Sequence, residues 1–136
     1  MSSLTSYNAL RNWLTAAWSV TELRFENENP EPPAGLADFI YLEVVGDLFS
    51  QRSIGAGSPT ANLWREEGAA IFHCCVKSGS GVSTARGYAA SLADALRANP
   101  VPGLVCEQQI IGAGGPFAAD GNYFDVPLIT NWYRNA

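Results

Sequence analysis

The chain has 136 residues and a mass of 14.5 kDa, which is the size of one domain. Its 47% hydrophobic and 15% charged residues exclude a disordered chain, and its apolar runs are far shorter than the ~20 residues that cross a bilayer. The net charge is −5, and the single lysine, Lys77, belongs to no basic stripe. This balance argues against a protein that binds nucleic acid by neutralising its phosphates.

The acidic residues are concentrated in the first third of the chain. Residues 1–47 hold seven acids and two bases, a net charge of −5, whereas residues 48–136 hold six of each. The first four residues lack the basic and apolar segments of a secretory signal. We therefore expect a reducing compartment, in which the three cysteines remain thiols.

The first 45 residues predict one helix and two strands. Apolar residues recur at helical spacing over 6–19, and Thr5 or Ser6 can cap that helix. Residues 22–26 alternate between polar and apolar and predict a short strand, which a proline-containing loop ends. The strongest strand prediction covers 39–45, where aromatic and β-branched residues dominate and the even-numbered ones share a face.

The middle of the chain predicts a turn, a strand and a second helix. Residues 53–60 are rich in glycine, serine and proline and predict a long turn that protrudes. The strand predicted over 69–77 places Cys74 and Cys75 on opposite faces. Ser83 can then cap a helix that runs to about residue 98.

Two further strands are predicted near the carboxyl end, over 104–111 and 123–133. The second places Phe124, Val126, Leu128, Thr130 and Trp132 on one face. Pro127 lies within it and lacks the N–H that a ladder requires. We therefore expect this strand to lie at an edge of the sheet or to be bulged at the proline.

This order of elements predicts an α+β fold for residues 1–136 as a single domain, with a mixed or antiparallel sheet and two helices packed on one face. The strand over 39–45 is apolar on both faces, with Phe39 and Tyr41 on the side that the helices would not cover. An uncovered apolar face needs a partner, so we expect the protein to self-associate.

His73, with the nearby cysteines, is the cluster that most suggests chemistry. Cys74 and Cys75 diverge across a strand, so they cannot both bind one ion with His73, and we expect no metal site. A cysteine nucleophile needs a lowered thiol pKa and an orienting partner, and no motif supplies either. We interpret His73 as a surface or interface residue and predict no catalytic residue.

Other polar and glycine-rich motifs are best explained as ordinary structure. Glu66 and Glu67 precede Gly68, where we expect a turn and therefore solvated carboxylates. Gly79–Gly81 resembles a phosphate-binding loop, but no lysine follows it. Gly112–Gly115 is not followed by a helix pattern, so it predicts a loop and not a dinucleotide site.

Aromatic residues are more numerous than a small core requires, with four Trp and five Tyr. Trp and Tyr are enriched at protein interfaces, but a Trp-rich core is about equally expected for each residue. This choice stays open for the residues that stand out: Trp18, Trp64, Trp132 and Tyr133.

The chain also carries a recognisable succession of elements. It begins with an amphipathic helix, an acidic proline-bearing loop, an aromatic strand and a long turn, which lead to Gly68–Cys74. It continues with Gly79–Gly81, a helix containing Ala93–Leu96 and a final strand that ends in Trp132 and Tyr133. Over most of its length, this succession resembles the tail terminator proteins of long-tailed phages and phage-like gene transfer agents.

The resemblance implies a hexameric ring that caps the completed tail tube, stops its polymerisation and joins the tail to the head. The implied partners are further copies of the chain, the tail tube protein and the head–tail connector protein, with no membrane, and with DNA only passing through the lumen. It implies a virion location at the head-proximal end of the tail, assembly in the host cytoplasm, and no cofactor. The acidic first third could then face the lumen and repel passing DNA.

The family's working surfaces are loops and sheet faces, which the resemblance assigns to residues 50–64 and 112–122. The interface residues predicted on this basis are Phe39, Tyr41, Arg52, Ile54, Trp64, Arg65, Phe117 and Tyr123.

Three alternatives stay open from the sequence. The first is a head–tail connector or neck component, and the second is a small cytoplasmic enzyme that uses Cys106 or Cys75. The third is a monomeric ligand-binding module, which would contain a filled pocket and would not self-associate.

Overall fold

A computed structural model describes residues 3–28, 33–117 and 121–135, apart from the side chain of Asp47. These residues form two α-helices and six strands. The helices are α1 (Leu4–Ala17) and α2 (Ser83–Ala98), and the strands are β1 (Glu22–Phe25), β2 (Phe39–Gln51), β3 (Trp64–Lys77), β4 (Val105–Ile111), β5 (Gly115–Pro116) and β6 (Tyr123–Asn135).

The strands form one mixed sheet in the order β1-β2-β3-β6-β4, and the two-residue β5 also pairs with β6. β1 runs parallel to β2, and the other neighbouring pairs are antiparallel. The predicted α+β class, with a mixed sheet, is confirmed.

One face of the sheet, here named the helix face, carries the core of the protein. Leu42, Phe72 and Leu128 lie side by side on β2, β3 and β6, are fully buried, and belong to a cluster that includes side chains of both helices. Trp13 of α1 meets Phe72 edge-on, with 6.0 Å between ring centroids. Its indole Nε1 donates to the carbonyl of Asn99, the C-cap of α2, at 2.7 Å, which ties the two helices together.

The start of α1 differs from the sequence prediction. The helix begins at Leu4, and its N-cap is Ser3, whose hydroxyl accepts a hydrogen bond from the Ser6 amide at 3.3 Å. The predicted cap at Thr5 or Ser6 is therefore wrong. Ser3 is held in place by a distant carboxylate, described below, which no local pattern could reveal.

The second helix spans the predicted residues, but its cap is also different. The N-cap is Val82 and no side chain caps the helix, so the predicted cap at Ser83 is wrong. Gly79 and Gly81, both with positive φ, form the turn between β3 and α2 that the sequence favoured over a phosphate site. Neither described helix is long and apolar enough to cross a membrane.

β2 and β3 are longer than predicted and form a long hairpin. The predicted turn at Gly68 is wrong, because Gly68 lies within β3 and pairs with Gly46. A Cβ on Gly68 would stand 2.3 Å from the Val45 carbonyl oxygen and 2.6 Å from the Trp132 ring. Glycine is therefore required by close packing, and the strand continues through it.

Pro127 lies in an interior strand, so its predicted edge position is wrong. It pairs with His73 on one side, and its carbonyl accepts from the Gly112 amide on the other at 2.8 Å. In an antiparallel strand the N and O of one residue point the same way, so the proline nitrogen also faces Gly112. The pairing of β4 with β6 ends at Ile111, and the pairing of β5 with β6 begins at Gly115. The ladder is therefore interrupted beside Pro127, where the missing proline N–H is not required.

Candidate interaction surfaces

The β2–β3 hairpin extends past the other strands of the sheet. The pairing of β3 with β6 ends at Arg65, while β2 and β3 still pair at Gln51 and Trp64. We name residues 52–63, which follow this last pair, the hairpin tip. Ile54 in the tip is 88% exposed, so the hairpin presents an apolar side chain to its surroundings.

The hairpin tip is held by hydrogen bonds of its own. The Arg52 amide donates to the Leu63 carbonyl at 2.6 Å, and the Leu63 amide donates to the Ser53 hydroxyl at 2.7 Å. The indole of Trp64 donates to the Pro59 carbonyl at 2.9 Å. These bonds give the tip a defined shape before any partner is bound.

Four of the predicted interface residues lie on this hairpin. Beside Ile54 and Trp64, the Arg52 guanidinium pairs with Glu67 at 2.6 Å, and the Arg65 guanidinium lies 4.1 Å from the centroid of the Tyr133 ring. Both arginines therefore have partners within the chain and remain partly exposed.

The second face of the sheet, here named the open face, carries an apolar patch near the middle of the sheet. Ile71 pairs with Ile129, and Ile129 pairs with Ile110, so the three isoleucines lie across β3, β6 and β4. Val45 on β2 is their diagonal neighbour. We name Val45, Ile71, Ile110 and Ile129 the apolar patch; Val45 and Ile110 are exposed and the other two are half-buried.

The other four predicted interface residues meet at the end of the open face that lies away from the hairpin tip. The Phe39 ring lies 4.8 Å from Tyr123 and 5.5 Å from Phe117, and Phe117 lies 5.7 Å from Tyr41, all between ring centroids. Phe39 and Tyr123 are only 5% and 4% exposed. Leu36 and Phe117 of the same chain pack against them, so their contacts in the structure lie within the chain.

His73 lies beside this aromatic cluster, between two carboxylates. Its Nδ1 is 2.5 Å from Asp125 Oδ2 and its Nε2 is 2.9 Å from Glu43 Oε1, while Phe117 packs on the ring at 5.6 Å. Burial alone would lower the pKa of His73, but the hydrogen bonds to Asp125 and Glu43 outweigh it and raise the pKa. His73 is therefore a partly buried, paired residue on the open face and not a solvated surface group.

Glu66 is the polar residue whose environment differs most from the one predicted from the sequence. The side chain is fully buried and accepts from the Ser3 amide at 2.9 Å, the Ser3 hydroxyl at 2.8 Å and Arg134 Nε at 2.8 Å. Burial alone would raise the pKa of Glu66, but these hydrogen bonds outweigh it and lower the pKa. The carboxylate joins the start of α1 to β3 and β6, so the solvated role predicted for Glu66 is wrong.

The three cysteines are free thiols. Cys74 belongs to the core on the helix face and Cys75 to the cluster on the open face, which confirms their opposite orientation. Burial raises the pKa of Cys74 to about 12, and it also raises the pKa of Cys75 and Cys106. All three groups are therefore protonated at neutral pH.

The aromatic residues left undecided divide between core and surface. Trp18 and Trp132 are buried in the core, whereas Trp64 and Tyr133 are partly exposed at the hairpin end. Within the described ranges, no three His, Cys, Asp or Glu side chains are grouped so that they could hold a metal ion. Gly112–Gly115 leads into β5, not into a helix.

Several acids of the first third have structural partners. Glu26 accepts from the Val44 amide at 2.9 Å, Glu28 pairs with Arg11, and Asp38 accepts from a tyrosine hydroxyl on α2 at 2.7 Å. Glu31 lies outside the described residues.

The fold and these surfaces define a small α+β protein with one mixed sheet and two helices. No protein-family model matches the sequence, and no curated protein matches it. One solved structure is similar over 96% of this chain and 90% of its own, with a TM-score of 0.56 and 18% sequence identity. At that identity the similarity concerns the fold alone.

Proposed function

We propose that this chain is a structural virion protein that self-associates into a ring, caps the tail tube, ends its polymerisation and joins the tail to the head connector. The resemblance of its sequence to tail terminator proteins motivates the proposal. The observation that carries it is the presence of two separate exposed apolar surfaces on one subunit, the hairpin tip and the apolar patch.

Two different surfaces on one subunit favour a ring over a symmetric dimer. A twofold dimer uses the same patch on both subunits, whereas head-to-tail contacts join unlike patches and generate a ring when the rotation closes. In the described residues the tip extends from one end of the sheet, past the pairing of Arg65 with Asn135, while the apolar patch lies on its open face. A tip and a patch on neighbouring copies could therefore repeat around an axis.

The polar chemistry of the chain supports a structural role over the cysteine-enzyme alternative. A nucleophilic cysteine requires an accessible thiolate, and burial raises the pKa of all three thiols. The histidine is engaged on both ring nitrogens by carboxylates, so no nitrogen is left to act as a base toward a substrate.

Electron microscopy of tails grown with and without this protein tests the proposal. We expect tubes of uniform length with a ring at one end when it is present, and tubes of runaway length when it is absent. Equal length distributions in the two samples would contradict the proposal. Binding of the purified protein to portal-capped heads and not to tube ends would instead support the neck-component alternative.

A further inference from the structure

We infer that the hairpin tip of one copy docks on the apolar patch of the next copy, with Ile54 as the central contact. This inference rests on the proposed function and deepens it, because it names the junction between ring subunits. The occupant of the open face is thus a second copy of this chain.

A tip cannot reach the patch of its own chain. Val45 precedes the last hairpin pair, Gln51 with Trp64, by six residues, which corresponds to roughly 20 Å along an extended strand. The hydrogen bonds of the hairpin hold the tip at the far end of that distance. Contact between Ile54 and the patch therefore requires two molecules.

The charge distribution favours contact between the hairpin tip of one copy and the body of another over contact between two hairpin tips. Residues 48–67, together with Arg134 that pairs with Glu66, hold three arginines and two acids, a net charge of +1, while the rest of the chain holds five bases and eleven acids, a net charge of −6. Glu43 pairs in register with Ile71 and is a partly exposed acid beside the patch. Because Arg52 is already paired with Glu67, it is the small net positive charge of the hairpin end that favours contact with the acidic body of a neighbour over contact with another hairpin end, at low salt.

Two free edges of the described sheet, β4 and the part of β2 beyond its pairing with β1, argue against the competing mode, in which strands of two copies pair. The register of β2 shifts between Gly46 and Leu48, and that of β4 shifts between Cys106 and Gln108. Bulges of this kind at sheet edges hinder the addition of a further strand. Docking of the hairpin tip on the open face does not require a free strand edge, so these bulges do not hinder it.

Cross-linking tests the contact directly. In a Cys106→Ser background, which removes the partly exposed native thiol, the double variant Ile54→Cys/Ile110→Cys, treated with a short bis-maleimide in concentrated protein and on capped tails, should give a ladder of covalent multimers. The matched control Ile54→Cys/Leu4→Cys replaces a residue that is 73% exposed on α1, and it should give no ladder. Absence of the Ile54/Ile110 ladder in both samples, or an equal ladder from the control, would overturn the inference.

Substitution gives a second readout. Ile54→Asp should weaken self-association at least about tenfold, because it removes the apolar contact and adds an acid opposite an acidic body. Leu4→Asp adds the same charge elsewhere and should have little effect. If tails are capped normally by Ile54→Asp, the contact is wrong while the proposed function stands; if the unmodified protein caps no tails, the function fails separately.

Discussion

His73 and Asp125 face each other across the β3–β6 pair, with 2.5 Å between Nδ1 of the imidazole and Oδ2 of the carboxylate. The second ring nitrogen faces Glu43 of β2. An ionised carboxylate can accept hydrogen bonds but cannot donate them. Both contacts are therefore made best by the imidazolium, which donates from both ring nitrogens. The histidine thus joins three neighbouring strands through its charge.

This arrangement predicts a stability that falls as pH rises. The folded pKa of His73 lies above its unfolded value of 6.5, so its contribution is fully present below pH 6.5 and is lost as pH rises through the folded pKa. Urea unfolding of the wild type and of His73→Gln should therefore differ most in mild acid and converge in alkali. His73 is the only histidine, so no other imidazole contributes.

Glu43→Gln provides the matched control for this titration. It removes one of the two carboxylates that raise the pKa of His73, so the loss of stability should begin at lower pH than in the wild type. A stability difference between wild type and His73→Gln that does not change with pH would contradict the interpretation.

Glu66 and Glu67 are neighbours in sequence with opposite environments. Glu66→Gln should lower the free energy of unfolding by about 3 kcal/mol, because it leaves Arg134 without its buried carboxylate. Glu67→Gln removes only a surface pair with Arg52 and should cost less than about 1 kcal/mol. Urea unfolding at pH 7 measures the free energy of unfolding of both variants. Equal losses would contradict the prediction that the buried Glu66 pair contributes more than the exposed Glu67 pair.

The same pair predicts an acid transition. The pKa of Glu66 is lower in the folded than in the unfolded state, where it is 4.5, so its stabilisation is present above pH 4.5 and is lost as pH falls through the folded pKa. Glu66→Gln should flatten this part of the stability profile, whereas Glu67→Gln should leave it in place.

Two glycine substitutions should act in opposite directions. Gly68→Ala would drive a Cβ into the Val45 carbonyl and the Trp132 ring, and we expect a loss of about 3 kcal/mol or a protein that fails to fold. Gly87→Ala lies on the exposed side of α2 with open space around it, so it should stabilise by about 0.5–1 kcal/mol. Thermal unfolding of the two variants measures the contrast. A loss of stability in both would contradict it.

The thiols should react slowly in the folded protein. Burial raises the pKa of Cys74 to about 12, so near neutral pH it holds far less thiolate than a free cysteine. Alkylation followed by mass spectrometry should label the partly exposed Cys106 first, and Cys74 and Cys75 only on unfolding. Rapid labelling of Cys75 or Cys106 in the native protein, at a rate equal to or above that of a free cysteine, would instead support the cysteine-enzyme alternative.

The sequence predicted those parts of the candidate surfaces that depend on residues close together in the chain, and it missed those that depend on contacts between distant residues. The exposed tip around Ile54 follows from local turn composition, and the structure agrees. Phe39 and Tyr123 are predicted interface residues because the family resemblance assigns the working surfaces to loops and sheet faces. They are buried by Phe117, a residue far from Phe39 in the chain, and no local pattern contains that contact.

The sequence alone determined the α+β class, the alternation that separates Cys74 from Cys75, and the end of α2, because each depends on spacing within a few residues. Only the tertiary structure decided that Glu66 is buried against Arg134 and that Pro127 lies inside the sheet. The burial of Glu66 depends on which distant strand pairs with which, and in what register. Register is set by the packing of the whole sheet against its helices, so it is not contained in any single stretch of the chain.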